Sequence, residues 1–258
     1  TRGVGTRNFL VVLPLSSRAN AFARALERRL VPAARAEPTD GLDGIVALPH
    51  TEDGGSANAS AARNHHHLLR TLLGLLLHPN VGAALVLQTE ADVAAAKAGA
   101  GISYPMLAEA ASQHPERFAA LGSLPHITLR LKMDDFTAEL DAAAEAASTL
   151  LPDLRAMRRV PCAASSLIVA QQCGGSDAFS GTAANPLVAA ASKHIVEAGG
   201  AALLAETDEL IGAEQYVLQN VRDYPTARRF VDLVARFHGY ANAHGASAEG
   251  NPSGGNLY

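Results

Sequence analysis

The chain has 258 residues, a formal net charge of −4 and 48% apolar residues, enough to bury a sizeable core and too apolar for a disordered chain. The mildly acidic balance, without a basic stripe or an aromatic ladder, argues against nucleic acid as a partner, and no run of about twenty apolar residues offers a membrane span. The two cysteines, Cys162 and Cys173, and an N-terminus without a charged-then-apolar leader point to a reducing, cytoplasmic setting.

In chain order, strand-like and helix-like segments alternate. Asn8 to Leu15 is a short, mostly continuous apolar run and reads as a strand. Ser17 to Leu30 has helical periodicity, with Ser17 as its N-cap. Gly44 to Leu48 reads as a strand, Ala61 to Leu77 as a helix and Val81 to Leu87 as a strand. Ala91 to Ala98 is helical in character. Arg117 to Ser123 reads as a strand, and Phe136 to Leu151 as a helix ended by Pro152. Ser165 to Ala170 is a strand, Pro186 to Ala198 a helix and Ala201 to Ala205 a strand. The last helix runs from Pro225, a residue suited to a first helical position, to Ala243. His65, His66 and His67 are consecutive, face different ways on a helix and make a poor metal site.

Apolar strands separated by helices predict an α/β fold: a doubly wound, mostly parallel sheet with helices on both faces, Rossmann-like. Two halves are expected, residues 1–155 and residues 156–258, the second truncated at its C-terminus. In such folds ligands bind beyond the C-terminal ends of the strands. The segments placed there are His50 to Ser56, Gln88 to Glu90, Gln171 to Ser180 and Glu206 to Glu209.

The richest of these runs CGGSDAFSGTAANP, from Cys173 to Pro186. Gly174 and Gly175 allow close backbone approach to a ligand. Ser176, Asp177, Ser180 and Thr182 offer short polar groups suited to hydroxyls, and Cys173 is a soft metal ligand or a reactive thiol. A tight strand–turn–helix corner capped by Asp177 or Ser180 is the plainer reading. His50 directly follows a strand and is the natural base, or a structural histidine; Glu90 is an acid/base, metal or substrate-binding candidate, or a carboxylate favoured by a helix start. Arg7 suits a bidentate pair with a substrate carboxylate, or a structural salt bridge.

The CGGSDAFSGTAANP segment resembles the signature of the altronate/galactarate dehydratase family, which includes a sulfolactate sulfo-lyase subunit. Gly3 to Asn8 (GVGTRN), Leu69 to Gly74 with His78-Pro79-Asn80, Glu206-Thr207 with Gly212-Ala213-Glu214, and Asn251-Pro252-Ser253 with Gly255-Asn256 resemble further family segments in the same order. The resemblance spans nearly the whole chain. It implies a hydro-lyase that takes the proton beside the carboxylate of an altronate- or galactarate-like sugar acid and releases a 2-keto-3-deoxy acid. His50, Glu90 and Asp177 would be catalytic. Arg7, Asn8, Gly174, Gly175, Ser176, Ser180, Thr182, Asn185 and Glu206 would bind substrate.

The family is dependent on iron or another divalent metal. It carries cysteines at the positions of Gly54 and Thr89, so of three such cysteines Cys173 remains. Asp53, a hard oxygen ligand, would join Cys173 and shift preference from Fe²⁺ toward Mn²⁺ or Mg²⁺. The expected partners are a small-molecule sugar acid and either further copies of the chain or a small N-terminal domain or subunit of the kind the family carries. A carbon–sulfur lyase acting on a sulfonated hydroxy acid, and a catalytically degenerate sugar-acid-binding homologue, are the alternatives.

Overall fold

A computed structural model describes residues 3–36, 41–52, 59–172, 178–205 and 210–247. The chain divides into two compact units, Thr1–Pro161 and Cys162–Tyr258.

The first unit opens with β1 (Phe9–Pro14), a 3₁₀ turn over Ser17–Ala19 and α1 (Asn20–Ala36). Then follow β2 (Gly44–Ala47), α2 (Ala59–Leu76), β3 (Val81–Thr89) and α3 (Glu90–Lys97). α4 (Tyr104–Gln113), α5 (Pro115–Phe118), β4 (His126–Leu131), α6 (Phe136–Ser148) and α7 (Leu151–Ala156) complete it. The four strands form one parallel sheet in the order β2-β1-β3-β4.

Period-two alternation explains how one sheet serves two cores. Val11 and Leu13 of β1, with Ala84 and Val86 of β3, pack on one face with Leu69, Leu72, Leu73 and Leu76 of α2 and Leu107 of α4. Leu10 and Val12, with Ala83, Leu85 and Leu87, pack on the other face with Phe22 and Leu26 of α1, Ala143 and Ala147 of α6 and Leu154 of α7. All nine residues of β3 are buried, as a central parallel strand covered on both faces requires. The α/β expectation with a parallel sheet and helices around it therefore holds.

Several local expectations are corrected. The first helical segment is capped by Ser16, not Ser17: the Ser16 side chain accepts from the Arg18 N–H at 3.3 Å. Arg117 to Ser123 is not a strand; it lies in α5 and a 3₁₀ turn, and the fourth strand is His126–Leu131. That strand alternates His126, Thr128 and Arg130 with Ile127, Leu129 and Leu131, the pattern of a half-exposed edge strand rather than of a buried run. Pro152 does not end a helix but sits in the first turn of α7, where its missing N–H costs nothing. Helices α4 and α5 fill the connection between β3 and β4.

The second unit contains β5 (Ile168–Gln171), α8 (Asn185–Glu197), β6 (Ala201–Leu204), α9 (Glu214–Asn220) and α10 (Tyr224–Ala243). β5 and β6 pair in parallel, with Ile168 opposite Ala201 and Gln171 opposite Leu204, so β5–α8–β6 is a βαβ unit. The Gln171 side-chain amide donates to Ser192 Oγ of the crossover helix, which itself donates to Val188 O at 2.7 Å.

Candidate active site

The strand order reverses between β1 and β3, and in open α/β sheets ligands lie outside the carboxyl ends of the strands at such a point. Three loops meet that edge: Leu15 to Ala19 after β1, Leu48 to Glu52 after β2, and the Thr89–Glu90 junction after β3. Backbone bonds hold them in place. Leu15 N–H donates to Leu87 O at 2.9 Å, Leu48 N–H to Val12 O at 3.0 Å and Ser17 N–H to Glu52 O at 2.8 Å.

His50 is fixed from two sides. The Asn20 amide clamps its backbone: Asn20 Nδ2 donates to His50 O at 2.6 Å, and His50 N–H donates to Asn20 Oδ1 at 3.3 Å. Its ring Nε2 lies 2.8 Å from Pro14 O. A carbonyl only accepts, so Nε2 donates to it, and Nδ1 is the ring nitrogen left for another partner. Nδ1 is buried and has no hydrogen-bond partner among the described residues. An unpaired buried acceptor is costly to leave so, and it marks the atom most suited to taking a proton or a ligand.

A second network joins the β1 and β3 ends. Thr89 and Asp92 form a capping box at the start of α3: Asp92 N–H donates to Thr89 Oγ1 at 3.1 Å, while Thr89 N–H and Thr89 Oγ1 donate to Asp92 Oδ2 at 2.8 Å each. Arg18 Nη1 donates to Asp92 Oδ1 at 2.9 Å. Burial raises the Asp92 pKa, but hydrogen bonds from Ser16, Thr89 and Arg18 outweigh it and hold the carboxyl below its ordinary value. Thr89, where the family pattern has a cysteine, is thus buried and committed to this cap.

Glu90 follows as the first residue of α3. Its Oε1 lies 3.5 Å from Arg130 Nε of β4, and both side chains are half exposed, 50% and 55%. A helix-start carboxylate and a group open to a ligand are here the same residue.

Arg7 and Asn8 stand elsewhere. They precede β1, so seven steps of about 3.3 Å, roughly 23 Å, separate Asn8 from Leu15. At that opposite edge Asn80 Oδ1 accepts from Thr6 and Arg7 N–H at 2.8 and 3.1 Å. Asp43 accepts from Asn8 N–H at 2.6 Å, and its two oxygens share Arg159 Nη2 at 2.7 and 2.8 Å, while Asn8 Nδ2 donates to Gly41 O and Leu154 O. Gly82 is required there, since a Cβ would run into the Asn8 side chain and Leu154. Within the first unit, Arg7 and Asn8 therefore do not share a pocket with His50 and Glu90. The GVGTRN and HPN segments are clasped to each other as a structural latch.

In the second unit, Ser180 to Ala184 form a wide π-type turn leading into α8, which Asn185 begins. Thr182 Oγ1 donates to Ala178 O and Phe179 O at 3.2 Å each; Thr182 and Asn185 are exposed and Ser180 is half-buried. Asp53, Cys173, Gly174, Gly175, Ser176, Asp177 and Glu206 lie outside the described residues. Among the described residues no three His, Cys, Asp or Glu side chains form a metal-binding group. No described helix is long and apolar enough to cross a membrane.

The family model described as D-galactarate dehydratase/Altronate hydrolase, second domain, matches residues 1–155. The chain belongs to this family. The model for the D-galactarate/Altronate dehydratase C-terminal part matches residues 164–258. An altronate dehydratase of Escherichia coli (strain K12) is 32% identical over 257 residues, 98% of this chain and 46% of the relative. The (2R)-sulfolactate sulfo-lyase subunit beta of Chromohalobacter salexigens is 29% identical over 256 residues, 98% of this chain and 57% of the relative. The galactarate dehydratase (L-threo-forming) of Escherichia coli (strain K12) is 35% identical over 106 residues, 41% of this chain and 20% of the relative. The chain thus spans about half the length of the altronate dehydratase and sulfo-lyase relatives. In this member of the galactarate/altronate dehydratase family, Ser16, Arg18, Asn20, Asp92 and Arg130 lie at the carboxyl edge of the sheet with His50 and Glu90, and the sequence alone singles out none of the five. The Thr89-x-x-Asp92 spacing, a capping-box pattern right after a strand, was the available signal.

Proposed function

We propose that this chain is the catalytic part of a hydro-lyase that dehydrates a sugar acid, altronate- or galactarate-like, to a 2-keto-3-deoxy acid. The observation that carries the reading is His50: a backbone clamped by Asn20, a ring oriented by Pro14 O, and a buried Nδ1 without a partner at the carboxyl edge of the sheet. Family membership and the named activities of the relatives support the reaction class.

In this reading His50 Nδ1 takes the proton from the carbon beside the carboxylate. The electron pair of that C–H bond becomes a C=C bond as the neighbouring C–O bond breaks. Glu90 or Asp177 gives a proton to the departing hydroxyl, which leaves as water, and the enol product tautomerises to the 2-keto acid. Cys173 and Asp53 are each ligand candidates for a divalent metal, Fe²⁺ by family resemblance or Mn²⁺ or Mg²⁺. Such an ion, when bound, polarises a substrate carboxylate and so acidifies the adjacent proton. We take the complete catalyst to include polypeptide beyond this chain. Its relatives are about twice as long, and β5 and β6 leave Ile168, Leu203 and Leu204 exposed.

A carbon–sulfur lyase is the second reading, favoured by the sulfo-lyase relative matched over 98% of the chain. It uses the same proton abstraction with sulfite as the leaving group. The test is a screen of altronate, galactarate and sulfolactate with added Fe²⁺, Mn²⁺ or Mg²⁺, scored for 2-keto acid and for sulfite. Dehydration of a sugar acid that falls at least about 100-fold in His50→Ala fits the proposal. Full turnover in both His50→Ala and Glu90→Gln removes the roles given to those residues.

A further inference from the structure

We propose that Gln88 and Ser103 bind the hydroxyl chain of the substrate, an assignment that rests on the sugar-acid reading above. Gln88 lies near the carboxyl end of β3, one residue beyond Leu87, which pairs with Pro14 at the end of β1. His50 follows β2 on the other side of β1, with its ring against Pro14 O. The base and the amide therefore flank the end of β1, on strands two spacings, about 10 Å, apart, a separation that a six-carbon acid can bridge.

The start of α4 explains why both side chains keep uncommitted polar groups. By alternation Gln88 shares the sheet face of Ala84 and Val86, the face that α4 covers. Its Oε1 accepts from the Tyr104 N–H, the first of α4, at 3.2 Å. Ser103 is the N-cap residue, and a cap side chain accepts from the second or third helical N–H. Pro105 in the second position has none, and Met106 in the third donates to the Ser103 carbonyl at 3.1 Å. The Ser103 side chain accordingly makes no cap bond. Among the described residues, neither Ser103 Oγ nor Gln88 Nε2 has a hydrogen-bond partner.

Gln88 is 9% exposed and Ser103 8%, so each is nearly enclosed without being sealed. Polar groups so placed call for partners. An amide that donates twice, beside a hydroxyl that both donates and accepts, matches the neighbouring hydroxyls of a polyol. A carboxylate suits the place less. Arg130 of β4 stands opposite Gln88 in register, but Glu90 Oε1 lies 3.5 Å from its Nε and balances its charge. Sulfolactate, with three carbons, has no hydroxyl chain to offer, so the subsite favours the sugar acid of the two readings.

Calorimetry on the purified protein tests the assignment, with glycerate beside whichever of altronate and galactarate binds more tightly. Glycerate has a carboxylate and hydroxyls but ends at its third carbon, short of the subsite. Ser103→Ala and Gln88→Met are each expected to weaken sugar-acid binding about 3- to 10-fold, the loss typical of a neutral hydrogen bond, and to leave glycerate binding within about twofold. Glycerate should bind the unmutated protein at least about tenfold more weakly than the sugar acid, and glycerate binding too weak to detect fits as well. Equal weakening of both acids in the variants would mean a structural role and overturn the assignment, as would equal affinity of the unmutated protein for the two. Sugar-acid binding unchanged in both variants overturns it while leaving the sugar-acid reading intact. Absence of altronate and galactarate binding in the unmutated protein overturns both. Should Gln88→Met fail to fold for want of its bond to Tyr104, Ser103→Ala decides: it removes no hydrogen bond found among the described residues, and undiminished sugar-acid affinity in that variant refutes the proposal.

Discussion

Replacing Asp92 by alanine removes the acceptor on which the β1 and β3 ends converge. The carboxylate takes two 2.8 Å bonds from Thr89 and one 2.9 Å bond from Arg18 and is almost wholly buried. Asp92→Ala leaves a buried Thr89 N–H without this acceptor and takes one carboxylate away from Arg18, a loss of about 3–5 kcal/mol. At about 2–4 °C per kcal/mol for a unit of this size, the melting temperature falls by roughly 6–20 °C. Asp92→Asn keeps the shape but not the charge and costs about 1–2 kcal/mol. The pH dependence separates charge from shape. Burial lifts the Asp92 pKa, the bonds from Ser16, Thr89 and Arg18 lower it by more, and the folded value lies below the unfolded one. Its stabilisation is therefore complete above the unfolded pKa of about 3.9 and is lost as the pH falls through the depressed folded value. Thermal melts followed by circular dichroism from pH 7 to pH 3 read this out. The gap between the unmutated protein and Asp92→Asn should be constant above about pH 5 and shrink below about pH 4. A gap that stays constant down to pH 3 would refute the reasoning, because the carboxylate would then contribute nothing through its charge.

Two further substitutions probe the two edges of the sheet. Asn20→Ala frees the His50 backbone and should lower kcat by about 10- to 100-fold while moving the melting temperature by only a few degrees, measured by 2-keto acid release and thermal melts; unchanged kcat would show that the clamp does not position the base. Gly82→Ala drives a Cβ into Asn8 and Leu154 and should cost about 1–3 kcal/mol in denaturant unfolding, with turnover per folded molecule unchanged. Lost turnover in fully folded Gly82→Ala would mean that the latch edge takes part in the chemistry.

The parts of the fold most legible in the sequence were those with the least ambiguous periodicity. β1 and β3 are continuous apolar runs because each is packed on both faces, and α6 and α10 carry long helical patterns. β4 escaped notice because an edge strand mixes His126, Thr128 and Arg130 with its apolar residues, while the apolar stretch just before it, around Phe118 and Leu121, is buried in helical form. His50 and Glu90 were legible because a parallel sheet sends every strand end toward one edge. Arg18 and Asp92 were not, because their roles come from a contact across 74 residues that periodicity does not encode.

The same geometry explains why the segments that resemble the family do not all lie at one edge of the sheet. GVGTRN and HPN stand out in the sequence as clearly as the segments after the strands do, yet they occupy the amino-terminal edge, where Asn80, Asp43 and Arg159 pair with backbone and side chains of the latch. A parallel sheet has two unlike edges. Carboxyl ends open into loops that can present side chains to a ligand, whereas amino ends must be tied down so that the strands enter in register. Motif residues stand at both, for different physical reasons. Arg7 lies at the second kind of edge and His50 at the first. The distinction rests on which edge of the sheet each residue occupies, and acid affinity measured in Arg7→Met tests it directly: a change of less than about threefold fits a structural Arg7, and a larger loss would move the site toward the amino-terminal edge.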